Sequence, residues 1–231
     1  MPYVPINSNL SLEARNGIIC VALHGNLRNV PPLVLYKEDR KMSLVLVAGF
    51  AGSGKTEFSA ILSQKFGAPI LDKDTLSRGF VEALNRAGNV SPDDREGEYY
   101  QQIVRPLEYE ALNHVIEDNL AGNDLVIATA PWIAQVHDPD WRTSMVNLAD
   151  DLGHNLVLVW IDCDESTMRK RLVQRAAARD NWKLEHWETY RNQNSGFSIP
   201  EHVDIVIPNS QGAAPLASHI QTVKERFDFD Q

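Results

Sequence analysis

From residue 42 onward the sequence predicts an α/β fold, a parallel sheet covered on both faces by helices. Three observations carry the prediction. Short apolar runs recur five times, at 44–48, 69–71, 124–130, 156–161 and 203–207. Longer stretches with apolar residues three and four apart separate them, which is the spacing of one helix face. The first run opens directly into GFAGSGKT, a glycine-rich turn placed where a strand passes into a helix. Strands that alternate with helices are joined in parallel by crossovers that lay the helices on the sheet, so each strand is buried on both sides and reads as a continuous apolar run.

The elements follow in order. Residues 1–41 read as an N-terminal extension with two β-prone runs, 18–23 and 33–36, separated by the turn-formers Gly25, Asn26, Asn29, Pro31 and Pro32. A small hairpin accounts for them. After the charged KEDRK at 37–41 the strand-turn-helix pattern begins at Met42, so 42–231 is read as a separate domain. Its helices are expected at 56–66, 74–86, 93–120, 141–152, 165–178 and 211–227. In the third, Val104, Leu107, Ala111, Leu112, Val115 and Ile116 fall on one side. No internal repeat or low-complexity segment interrupts the pattern.

Composition bounds the function. Of 231 residues, 43% are hydrophobic and 23% charged, a globular balance able to bury a sizeable core. The formal net charge of −9 argues against general affinity for nucleic acid or anionic membranes, which needs a surplus of Lys and Arg. Cys20 and Cys163 lie far apart with no neighbours at metal-ligand spacing, so neither a zinc site nor a disulfide framework is indicated. No run approaches the ~18 apolar residues that span a bilayer, and the N-terminus lacks a signal peptide's basic start and apolar core. A cytoplasmic protein is expected; nothing in the pattern gives an oligomeric state.

Gly49, Gly54, Lys55 and Thr56 satisfy G-x-x-x-x-G-K-[ST], with Phe50, Ala51, Gly52 and Ser53 between them. A phosphate held by backbone needs several N–H groups turned inward, and glycine permits this because it has no Cβ to obstruct it. The helix that follows adds free N–H groups and the positive end of its dipole. Lys55 then reaches the β- and γ-phosphates, while the Thr56 hydroxyl holds Mg²⁺. A glycine-rich turn with no ligand explains neither residue at its offset. The N-K-x-D segment by which GTPases usually read guanine does not occur, so ATP is the expected nucleotide.

LDKDTLSR follows the second strand and puts Asp72 and Asp74 at a strand's C-terminal end, the edge where open α/β sheets bind ligands. Two such carboxylates can divide phosphoryl transfer, Asp72 holding Mg²⁺ and Asp74 accepting the proton of an attacking hydroxyl. The bland alternative makes Asp74 a helix N-cap and leaves Asp72 solvated. Further on, DCDESTMRKRLVQRAAARD places Arg171, Arg175 and Arg179 four apart on one helical face, with Arg169 near its start. That face can close over ATP and neutralise charge on the moving phosphoryl, with Arg175 as the catalytic candidate and the arginine that touches the phosphoryl left open among the three. It can equally be a solvated surface on which Asp164, Glu165 and Asp180 pair with the arginines.

GFAGSGKT, LDKDTL, TAPW (129–132), RLVQRAAARD and VDIVIPNS together make residues 42 to about 227 resemble the ATP-dependent P-loop small-molecule kinases, in the style of chloramphenicol phosphotransferase, gluconate kinase, shikimate kinase and the zeta-toxin kinases. The resemblance implies a three-layer P-loop NTPase fold with five parallel strands in the order 2-3-1-4-5 and a mobile, arginine-bearing lid. It implies Asp74 as the catalytic carboxylate, Asp72 as its companion, and Arg171, Arg175 and Arg179 as lid residues. The acceptor pocket then falls to the helices inserted over 75–121, where Arg78 and Arg105, with Tyr100 and Tyr109, are candidates. Trp132, beside Pro131 after the third strand, is expected as an apolar or stacking wall. The acceptor's identity stays open among antibiotic, nucleoside and sugar. Two rival readings stand beside this one. One is a mechanical or regulatory ATPase with Asp162 on Mg²⁺ and Glu165 activating water. The other is a polynucleotide or tRNA end kinase, against which the negative charge weighs.

Overall fold

The structure, a computed structural model, describes residues 10–15, 18–23 and 42–227. The chain divides into two compact units, Met1–Arg40 and Lys41–Gln231. In the first, β1 (Leu10–Arg15) pairs antiparallel with β2 (Ile18–Leu23), with Leu10 opposite Leu23 and Arg15 opposite Ile18. The sequence reading gave 18–23 a partner at 33–36. Its partner is instead the preceding LSLEAR, whose apolar-polar alternation and following Asn16-Gly17 dipeptide are hairpin signals that the reading passed over. Residues 33–36 lie outside the described residues.

In the second unit, β3 (Met42–Ala48), β4 (Ile70–Asp72), β5 (Leu125–Thr129), β6 (His154–Asp162) and β7 (Ile205–Pro208) form one sheet in the order β4-β5-β3-β6-β7. Every neighbouring pair is parallel. Counted within this unit the order is 2-3-1-4-5, as the resemblance implied.

β3 is the centre, and its period of two divides its side chains between two cores. Leu44, Leu46 and Ala48 pack with Leu112, Ile116, Leu158 and Trp160 on one face. Val45 and Val47 pack with Phe58, Leu62, Val159 and Ile207 on the other. The first core is covered by α3 (Arg105–Leu120), α4 (Pro139–Asp151) and α5 (Glu165–Arg175). The second is covered by α1 (Lys55–Phe66) and α8 (Ile220–Phe227), through Phe58, Leu62 and Val223. α2 (Lys73–Ala87) lies outside α3, with Val81 against Tyr100 and Val104. The chain leaves β3 toward one edge of the sheet and later crosses to the other, so the loop at the end of β3 sits where the winding reverses, the place such sheets reserve for ligands.

Three predicted helices are shorter than expected. The stretch 93–120 is helical only from residue 98, after turns over 88–97, and it contains a π turn at Tyr100–Val104. Gly88, Pro92 and Gly97 punctuate the turns, and the Asp94 carboxylate ties them by accepting from the N–H groups of Glu96 and Gly97. The stretch 165–178 stops at Arg175, because Ala176 takes a left-handed conformation at φ 49°. A 3₁₀ turn at Ala178–Asp180, α6 (Asn181–Glu185) and α7 (Trp187–Gln193) follow. The stretch 211–227 turns helical only after Pro215, first as 3₁₀ at Leu216–His219 and then as α8.

Candidate active site

Residues 49–54 carry the chain from β3 into α1. Gly54 stands at the N-cap in the left-handed region at φ 107°, and no side chain caps the helix, so its first N–H groups face into the loop. At Gly52, with φ 81°, a Cβ would lie 2.8 Å from the Met168 carbonyl oxygen, so both space and backbone require glycine. Lys55 curls back and donates from Nζ to the Phe50 carbonyl at 2.8 Å. Burial lowers its ammonium to a pKa of about 8, against the opposing pull of Asp74. Thr56 Oγ1 lies 3.4 Å from Asp72 Oδ2. A hydroxyl and a carboxylate so placed fit Mg²⁺, which takes one or two protein oxygens and fills its shell with phosphate and water.

Turning N–H groups inward leaves carbonyls facing out, and these need donors of their own. Arg171, expected in the lid, supplies them from beneath the loop. Its Nη1 donates to the carbonyls of Gly52 (3.3 Å) and Ser53 (3.2 Å), and its Nη2 to Asn209 Oδ1 (3.4 Å). Asn209 completes the underside by donating to the Ser53 carbonyl at 2.7 Å. The correction has a simple cause: α5 runs back along the loop, so Arg171 packs the loop, Arg169 lies over the Trp187 ring, and of the helix's three arginines only Arg175 reaches the cavity. Sequence reasoning missed Asn209, which arrives at the end of β7 in the quoted VIPNS.

Asp72, Lys73 and Asp74 point to three different tasks. Asp72, and not Asp74, caps α2: its Oδ1 accepts from the Thr75 N–H at 2.8 Å. Asp74 is half-buried, with Oδ1 3.2 Å from Lys73 Nζ and Oδ2 3.4 Å from Arg179 Nη2. Desolvation by itself pushes the Asp74 carboxyl up, but Lys73, Arg179 and Lys55 together outweigh it and hold the pKa at about 2. Lys73 is buried and stands 2.8 Å from Glu108 Oε1. Glu108 also accepts from Ser77 Oγ and from the Tyr100 hydroxyl, each at 2.6 Å. No motif announced this network, whose members are 31 residues apart for Ser77 and Glu108 and 35 for Lys73 and Glu108.

Arg175 and Arg179 do not share a helical face. With α5 ended at Arg175, the guanidinium of Arg175 grips buried Asp180, its Nε donating to Oδ2 at 2.8 Å, while Arg179 sits in the 3₁₀ turn and meets Asp74. Both line a cavity of about 420 Å³ that begins at Ala51, Gly52, Lys55 and Thr56 and passes Asp72 and Asp74. Arg78 and Arg105 line it too, beside Tyr100 and Tyr109.

Trp132 is a second correction. It is fully buried at φ 46° in the first core, its ring 6.2 Å from that of Trp141, and its backbone N–H donates to the Tyr109 hydroxyl. The left-handed turn sends its ring into the core, and the flanking Pro131 and Ile133 line the cavity instead. Asp162 sits on the β6–β7 ladder opposite Pro208. Glu165 is held by Trp187 Nε1 and Arg191. Neither lines the cavity, so the water-activating pair of the ATPase reading is not assembled there.

A match to the protein family described as AAA domain spans residues 44–195, from β3 to just past α7. The chain belongs to the AAA domain family. This AAA domain is also similar to solved kinases. A proposed kinase of Chloroflexus aurantiacus j-10-fl is 17% identical, over 80% of this chain and 98% of that one, with a TM-score of 0.57. The APS kinase of Mycobacterium tuberculosis, in complex with AMPPNP and APS, is 18% identical over 80% and 96%, at 0.52. A sugar kinase of Janibacter sp. is 15% identical over 81% and 95%, at 0.53. At these identities the likeness is one of fold, and the fold of this AAA domain is that of the P-loop kinases. No curated protein matches the chain in sequence.

Proposed function

We propose that this AAA domain is an ATP-dependent phosphotransferase that moves the γ-phosphoryl of ATP to a hydroxyl of a small molecule. The observation that carries the proposal is the position of Asp74. It lines the same cavity as Lys55 and Thr56, ionised and held by cations on both oxygens, with the cavity continuing past it among residues of 75–109. A phosphoryl donor on the loop and an acceptor in that continuation would meet at this carboxylate.

Loop N–H groups and Lys55 bind the β- and γ-phosphates. Mg²⁺, held by Thr56 with Asp72, supplies positive charge to the phosphate oxygens when bound. Asp74 accepts a hydrogen bond from the acceptor hydroxyl and orients its oxygen toward phosphorus. As the new O–P bond forms and the bond to the ADP oxygen breaks, the hydroxyl proton passes to Asp74. With a pKa of about 2 Asp74 is a weak base, so the proton moves late, when the attacking oxygen has become acidic through its bond to phosphorus. Arg175 and Arg179 neutralise charge on the transferred group. The negative net charge, −9, favours a small acceptor over a nucleic acid chain, and a cytoplasmic setting suits an ATP-consuming enzyme. Among the described residues no helix is long and apolar enough to cross a membrane.

The test is an ATP-consumption screen over hydroxyl-bearing metabolites, nucleosides and antibiotics, with mass detection of products. The proposal expects an acceptor that gains one phosphate as one ATP becomes ADP. ATP hydrolysis with no phosphorylated product, stimulated by a protein or polymer, would give the site to the ATPase reading.

A further inference from the structure

The charges around the cavity do not balance, and the surplus is local. Lys73 faces Asp74 and Glu108, Arg175 faces Asp180, Arg179 faces Asp74, and Lys183 faces Glu96. Lys55 belongs to the nucleotide. Arg78, Arg95 and Arg105 also line the cavity, and among the described residues none of them is paired with a carboxylate. This happens in a chain with 31 acidic and 22 basic residues, where an acidic partner is the easier one to find.

Arg95 and Arg105 are half-buried, and each is already posed. Arg95 Nη1 donates to the carbonyls of Pro92 and Asp94, both at 2.9 Å, and its guanidinium lies 5.4 Å from the Tyr100 ring centre. Arg105 Nη1 donates to Gln101 Oε1 at 2.7 Å and lies 5.7 Å from the ring centre of Tyr109. Gln101 links them, because its Nε2 donates to the Arg95 carbonyl at 2.7 Å. It stands on the π turn, a helical irregularity that recurs at ligand sites. Arg78, exposed on α2, adds a third guanidinium. Guanidinium only donates, and its fork matches the paired oxygens of a carboxylate or phosphate. Holding partly desolvated cations together without an anion is unfavourable unless a ligand brings one.

We infer that the phosphate acceptor is an alcohol that already carries an oxyanion, a carboxylate or a phosphate, held by Arg78, Arg95 and Arg105. The inference rests on the phosphotransferase reading and adds the acceptor's class to it. The oxyanion is an anchor and is not consumed; the hydroxyl elsewhere on the same molecule takes the phosphoryl group.

The experiment separates the two ideas by saturating the full chain with AMPPNP and Mg²⁺ and then titrating inorganic phosphate, followed by calorimetry and phosphorus NMR. With the loop occupied, saturable phosphate binding is expected at the arginines. The double variant Arg78→Gln, Arg105→Gln is expected to weaken it by about tenfold or more while AMPPNP affinity is retained. Absence of saturable phosphate binding to the AMPPNP complex, or binding undiminished in the double variant, overturns the oxyanion anchor alone. Failure of AMPPNP itself to bind overturns the phosphotransferase reading beneath it. Acetate that displaces the bound phosphate at equal concentration assigns the anchor to carboxylates, and phosphate that persists assigns it to phosphates. A matched set of glucose, gluconate and glucose 6-phosphate adds the turnover readout: phosphorylation of glucose faster than of both anionic members contradicts the inference.

Discussion

Lys73 shows how much of this site turns on single atoms. It stands between two carboxylates in LDKD, yet its chain goes inward to Glu108 while Asp72 caps α2 and Asp74 faces the cavity. Glu108→Gln would leave the Lys73 ammonium buried with Asp74 as its remaining anion. We expect a loss of about 3 kcal/mol in urea-denaturation stability, the scale for breaking a buried ion pair from one side. Unchanged stability would mean that Lys73 is solvated in solution. Lys55 gives a pH prediction. Burial favours its neutral form and sets the free protein's pKa at about 8, whereas bound phosphate favours the charged form. Binding therefore takes up a proton above that pH: ATP affinity is flat below about 8 and falls by up to about tenfold per unit above it, and Lys55→Ala removes both the affinity and the slope. A calorimetric pH series on both proteins checks this. Lys55, Thr56, Asp72 and Asp74 were legible because their chemistry is written in contiguous motifs. Glu108 and Asn209 were not, since they meet their partners 35 and 156 residues away through the fold.

At the scale of elements, the strands and the helices α1, α2 and α4 followed the apolar period, because long periodic segments buried on one side leave little choice of conformation. The pattern failed where the chain must bend toward the cavity. Arginines spaced four apart predicted one continuous face, but Ala176 ends α5 in a left-handed turn and hands Arg179 to a separate 3₁₀ turn. Nothing in QRAAARD signals that break, because alanine is the best helix former. An alanine in this conformation is strained by roughly 1 kcal/mol relative to glycine. Ala176→Gly is thus expected to raise the urea midpoint, against the usual direction for Ala-to-Gly changes. A lower midpoint would show that α5 continues through residue 176 in solution. The π turn at Tyr100–Val104 was passed over although the sequence marks it: Pro106, inside a helical stretch that begins at residue 98, has no N–H to give the Gln102 carbonyl four residues back.

The second unit is built on a parallel sheet whose central strand feeds two cores, and the cavity lies at the C-terminal ends of its strands. A chain beginning at Met42 is expected to fold and bind ATP, because β3, the glycine loop and α1 are complete from that residue onward, and an insoluble product would show that residues 1–41 cover part of the core. The strand order was legible only through resemblance, since alternation gives parallel strands without their sequence in the sheet. The central claim, phosphoryl transfer with Asp74 beside the attacking hydroxyl, meets its most direct test in Asp74→Asn, measured for turnover and nucleotide affinity across a magnesium series. Asparagine keeps the volume and loses the proton acceptor, so turnover should fall roughly 10²–10⁴-fold at every magnesium concentration while ATP affinity changes little. Full activity in the variant would contradict the account, and activity restored by raised magnesium would move the metal to Asp74 and the base to Asp72.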